Sequence, residues 1–142
     1  MQSLNENILS ALRELGQKTR LALENKDADA AQSLLEDGWN LIPDPKECYD
    51  ITERKIIASI RLMAHSNKPE YALRWINELN NFPPSPIDDE PVFLIGVTHF
   101  QLRNLSKAFE YFEKAYVLSK GRCFREEDPK YLKFYLENKK GK

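Results

Sequence analysis

The chain has 142 residues, 21 basic against 22 acidic side chains, with 42% hydrophobic and 30% charged positions. That length makes one domain the expectation and lets the fold bury roughly two thirds of the surface an unfolded chain exposes, so a core can form without staples. A net charge of −1 gives no bulk attraction to nucleic acid or to a membrane surface, so any charge-driven partner must meet a local patch.

Residues 1–6 carry no basic stretch followed by an apolar run, so no secretory signal is read and the cytosol is the expected compartment. Ser3 with Glu6 has the spacing of a capping box, and residues 5–42 read as a first helix hairpin ended by Pro43 and Pro45. A second start follows at Asp50 with Glu53. Ile56, Ile57, Ile60, Met63 and Ala64 then recur at steps of three and four, one buried helical stripe. Tyr71, Ala72, Trp75, Ile76 and Leu79 repeat the rhythm after a tight turn at Asn67 to Pro69, which closes a second hairpin over 51–80. Phe82-Pro83-Pro84-Ser85-Pro86 is an extended strut, and Asp88-Asp89 beside it reads as a helix cap.

A third hairpin spans 90–119, with Val92, Ile95, Gly96 and His99 on its first helix and Ala108, Phe112, Ala115 and Leu118 on its second. Gly96 and Ala108 are short enough to let the two helices approach closely, and a bulky residue at either should splay them. Asp128 before Pro129 starts a last helix over 129–138. No segment alternates like a strand. The longest uncharged apolar-rich run, Pro91 to Leu102, has 12 residues, short of the roughly 20 that cross a bilayer.

Catalytic signatures are missing: there is no glycine-rich phosphate loop, no His-Glu-x-x-His and no nucleophile elbow. His65 and His99 have no metal-ligand spacing around them, and Cys48 and Cys123 lie too far apart in sequence for Cys-x-x-Cys chemistry. The expectation is a non-enzymatic protein with no cofactor and no metal. Charge is uneven along the chain: between Glu24 and Asp50 eight acids face two lysines, whereas from Lys120 to Lys142 eight basic residues face four acids.

Ala72 and Ala108 stand 36 residues apart, inside the period of two-helix solenoid units. On Val92, Ile95-Gly96, His99, Leu105, Ala108, Phe112, Ala115 and Leu118 the chain resembles the tetratricopeptide repeat, with Val92 where tryptophan is usual and His99 where tyrosine is usual. Residues 54–79 keep Ile56, Ile60, Met63, Ala72 and Ile76 of that pattern without the glycine, and residues 7–42 form a weaker copy with Ala31, Leu35 and Trp39. The resemblance implies an all-α fold, a right-handed stack of antiparallel helix hairpins with a C-terminal capping helix, and a protein partner. Trp39-Asn40-Leu41-Ile42-Pro43-Asp44-Pro45, with Gly121, Phe124, Glu127-Asp128 and Lys130-Tyr131, further resembles small tetratricopeptide-type bacterial proteins. Some of these serve as immunity proteins that neutralise a polymorphic toxin by binding it; here Glu126 stands where glycine is expected.

In repeats of this type the first helix of each hairpin lines a concave groove. The corresponding partner-binding candidates are Arg54, Ile57, Arg61 and His65, then Phe93, Val97, Phe100 and Gln101. The alternative for the second set is burial beneath the last helix, whose Tyr131, Leu132, Phe134, Tyr135 and Leu136 need a surface to pack on. Glu36, Asp37, Asp44 and Glu47 in the acidic segment are candidates for steering a basic toxin domain, against the plainer reading of solvated helix faces.

Overall fold

Asn5 starts the first helix: its side chain accepts a hydrogen bond from the Ile8 amide at 2.9 Å, a donor that helix geometry leaves orphaned. From there α1 runs Glu6–Glu24. The computed structural model describes residues 2–141, which are helices joined by turns and short irregular segments, with one isolated bridge between Gln2 and Tyr49. Its helices gather into two compact units, Met1–Phe82 and Pro83–Lys142, and the boundary falls in the proline strut.

In the first unit α1 is followed by α2 (Ala28–Leu41), α3 (Thr52–Ala64) and α4 (Ala72–Leu79). The turn from α1 to α2 takes three residues. Lys26 adopts a left-handed φ of 56°, the amides of Lys26 and Asp27 return to Leu23 O and Ala22 O at 2.9 Å each, and the Asp27 carboxylate caps α2 by accepting from the Ala30 amide at 3.0 Å. This is the paired closure of a Schellman motif, built here without glycine.

Two helix starts differ from the capping-box expectation. Gln2 pairs with the backbone at Cys48 and Asp50 (2.8 and 3.0 Å), which holds the chain extended past Ser3, so Asn5 becomes the cap instead. The Ser3 hydroxyl donates to the Asp50 carboxylate, and α3 begins behind Ile51 without a side-chain cap. Asp128 does cap the last helix, accepting from the Lys130 amide at 3.0 Å. Ahead of α5 it is Asp88 that accepts, from the Glu90 amide.

The core of the first unit follows the helical stripes. Ile56, Ile60, Met63 and Ala64 from α3 meet Ala72 and Trp75 from α4, and Ala31, Leu35 and Trp39 from α2, all buried. Trp39 and Trp75 meet edge to face at 5.7 Å, and the Trp75 indole N–H donates to Gln32 at 3.0 Å.

The second unit holds α5 (Glu90–Gln101), α6 (Leu105–Ser119) and α7 (Pro129–Lys140). Gly96 is required by contact: a Cβ there would lie 2.6 Å from Cδ1 of Phe112, so the α5–α6 hairpin closes on bare backbone. Phe112 is the hub of an aromatic cluster, with ring centroids 5.6 Å from Phe93, 5.4 Å from Phe124 and 5.9 Å from Tyr131. The α7 helix is tied to α6 through Glu113, which accepts from the Tyr135 hydroxyl at 2.6 Å and the Lys139 ammonium at 2.7 Å. Burial and that bond push the Tyr135 phenol well above its ordinary value. Among the described residues no helix is long and apolar enough to cross a membrane.

Candidate protein-binding groove

Two stripes of the first unit face one another. On α1, Leu9, Arg13, Gly16 and Arg20 lie at steps of four, three and four, one edge of the helix. On α3 and the residue before it, Ile51, Arg54, Lys55 and Ala58 form the matching edge. With Leu12, Leu15, Leu34 and Leu35 beneath, they enclose an open groove of about 570 Å³. Its floor is leucine, its rim carries Arg13, Arg20, Arg54 and Lys55, and none of its lining residues is acidic.

Lys55 reaches deepest. A Cβ added at Gly38 would sit 2.9 Å from its Nζ and 3.3 Å from Leu12, so the ammonium rests on the backbone of α2 against an apolar neighbour. That burial pushes the Lys55 ammonium below its ordinary 10.5, with the Glu36 charge pulling partly back. Glu36 itself is committed elsewhere. Arg74 grips it with two nitrogens at 3.1 and 3.2 Å, pairs with Glu78 at 2.7 Å, and lays its guanidinium on Trp75 at 4.8 Å.

Gly16 is unusual for a different reason. It lies inside a helix of 19 residues, where glycine costs about 0.5–1 kcal/mol relative to alanine. Nothing lies within 4 Å of where its Cβ would be, so no contact within the chain requires it. The bare backbone opens directly into the groove.

Of the residues singled out in the sequence, Arg54 is exposed and on the groove rim, and Ile57 is half-buried and outside the groove lining. Arg61 and His65 line a second depression with Leu23, Lys26, Leu62, Ser66 and Asn67 at the other end of α3. Phe93 and Val97 are 2% and 0% exposed and offer no surface. Phe93 is enclosed by Phe112, Phe124 and Tyr131, the arrangement weighed above as burial beneath the last helix. Phe100 is half-buried against Tyr131 and Phe134 at 5.4 and 5.2 Å, and Gln101 is half-buried. His99 stacks on Tyr111 at 6.1 Å, and burial with the nearby Lys107 charge holds its imidazole below the ordinary 6.5.

Much of the acidic segment serves the fold. Asp27 caps α2, Glu36 holds Arg74, and Asp44 pairs with Lys46 at 3.6 Å. Asp29 accepts from the Lys68 ammonium at 2.8 and 2.9 Å and from the Tyr71 hydroxyl. Asp37, Asp44 and Glu47 stay exposed. The bonds from Lys68 and then Tyr71 hold the Asp29 carboxyl below its ordinary 3.8, so the stability it lends is present above that value and lost as pH falls through the lower folded value. Thermal melts of the wild type and Asp29→Asn should therefore differ at about pH 6, with the gap closing only as pH falls below the ordinary carboxyl value of 3.8. A gap that stays constant down to the acid end would remove Asp29 as its source.

The tetratricopeptide-type resemblance reaches Arg54 on the α3 wall, whereas Leu9, Arg13, Gly16 and Arg20 on the α1 wall belong to no pattern that the resemblance marks. The available signal was a mid-helix glycine flanked at helical spacing by arginines. No described protein family, no curated protein and no solved structure matches this chain.

Proposed function

We propose that this chain is a non-enzymatic protein-binding stack of helix hairpins, of tetratricopeptide type, with α7 as the cap of its last hairpin. In the setting its resemblance implies, it neutralises a cognate bacterial toxin by direct binding. The observation that carries protein binding is the groove between α1 and α3: Leu9, Leu12, Leu15 and Leu34, half-buried under a cationic rim, gain by being covered. Burial of Phe93 and Phe124 against Tyr131 and Tyr135 supports the capping role of α7, since a terminal hairpin needs its apolar face closed.

A second reading, an adaptor that holds one segment of a partner, is favoured by the size of the groove, about 570 Å³, which takes a few side chains and not a folded domain. Steering of a basic toxin would fall to Asp37, Asp44 and Glu47, which are exposed, because Glu36 is held by Arg74 within the unit.

Co-expression tests the toxin setting. If the gene adjacent to that of this chain encodes a toxin, the chain should restore growth to cells making it and copurify with it as a stable complex. No rescue and no complex would remove the immunity reading. Copurification of a non-toxic protein instead would favour the adaptor.

A further inference from the structure

The partner's contact segment can be specified from the groove itself. Leu9 to Arg20 spans about 16 Å of α1, the length of about three helical turns. The helices on both sides satisfy their own backbone hydrogen bonds, and Gln17 is the only side-chain amide in the lining. An extended segment laid there would leave its amides and carbonyls unmet over leucine, at a cost that a helix avoids by bonding internally. No aromatic side chain lines the groove, so it offers no stacking platform for nucleic acid bases.

Charge decides the rest. Four cations and no acid line the groove; Arg13 pairs with Glu6 at 2.7 Å, while Arg20 and Arg54 are exposed. No hydrogen bond or ion pair among the described residues engages the Lys55 ammonium, which feels Glu36 only through its charge. A half-buried ammonium gains most from a carboxylate brought by a ligand that also excludes water. Gly16, which no internal contact explains, removes the side chain that would otherwise hold an approaching backbone away.

We infer that the groove between α1 and α3 binds an acidic amphipathic α-helix of the partner protein, its apolar side on the leucine floor, its closest approach at Gly16 and a carboxylate over Lys55. This rests on the protein-binding reading above.

The test uses the full chain and a displayed library of random 16-residue peptides. Recovered peptides are synthesised and their affinities measured on the wild type, Gly16→Leu and Lys55→Gln, with the helicity of each complex followed by circular dichroism. The expected peptides carry Asp or Glu and leucine at spacings of three and four, become helical when bound, and lose at least tenfold in affinity on either variant. Gly16→Leu should melt at or above the wild type, since its side chain enters open space. Recovery of no peptide, of peptides without acids or bound in extended form, or of peptides indifferent to both variants overturns the inference. The two readings separate cleanly. A partner that still copurifies with Gly16→Leu leaves protein binding standing and removes the groove as its site, whereas a wild-type chain with no protein partner removes the reading beneath it.

Discussion

Phe112→Ala should destabilise the second unit by about 3–5 kcal/mol, the range for truncating a fully enclosed aromatic side chain. Phe112 is 0% exposed and its ring contacts Phe93, Phe100, Phe124, Tyr131 and Phe134, with centroids between 5.4 and 6.4 Å away. Aromatic neighbours are rigid, so the hole cannot close by a rotamer change in one of them, and each lost edge or face contact adds to the transfer cost. Gly96 sharpens the point, because Phe112 fills the space that a side chain at Gly96 would otherwise claim. Urea denaturation followed by far-ultraviolet circular dichroism measures the loss. A value under about 1 kcal/mol would mean that the cluster collapses onto the vacancy and that Phe112 is not its hub.

Trp75→Ala should cost the first unit a similar amount, about 3–5 kcal/mol. The indole is 0% exposed, sits edge to face on Trp39, carries the Arg74 guanidinium on its face and donates to Gln32. Truncation removes the packing, leaves the Gln32 carbonyl without its donor and takes away the ring beneath the Arg74 guanidinium. Trp75→Phe separates these effects: it keeps a ring and loses the donor, so it should cost about 1–3 kcal/mol. The chain has two tryptophans, so either variant leaves Trp39 as the single indole emitter. Its emission should move to longer wavelength in Trp75→Ala and stay close to wild type in Trp75→Phe. Equal losses for the two variants would show the hydrogen bond to Gln32 to be the larger contribution.

The all-helical character and the main apolar stripes were legible because they are local. Ile56, Ile60, Met63 and Ala64 on α3, and Gly96 and Ala108 as short residues between α5 and α6, follow from a repeat of three and four and from side-chain size; that Phe112 is what meets Gly96 does not. What escaped depends on residues far apart in sequence. Asn5 displaces Ser3 as a cap because Gln2 pairs with backbone more than 40 positions away, and Asp29 and Glu36 find Lys68 and Arg74 across the hairpins. A run of acids reads as a patch until its partners are placed. The same holds for the groove, whose two walls come from α1 and α3 and become one surface only after folding.

The tied acids and the open arginines divide the first unit by how freely its positions can change. Asp29 and Glu36 cannot be exchanged without unsettling Lys68, Tyr71 or Arg74. Arg20 and Arg54 stand exposed on the groove rim and hold no such bond among the described residues. Lineages of this chain that meet different partners can therefore diverge at the rim while the scaffold stays fixed, so new specificity can arise without a detour through an unstable ancestor.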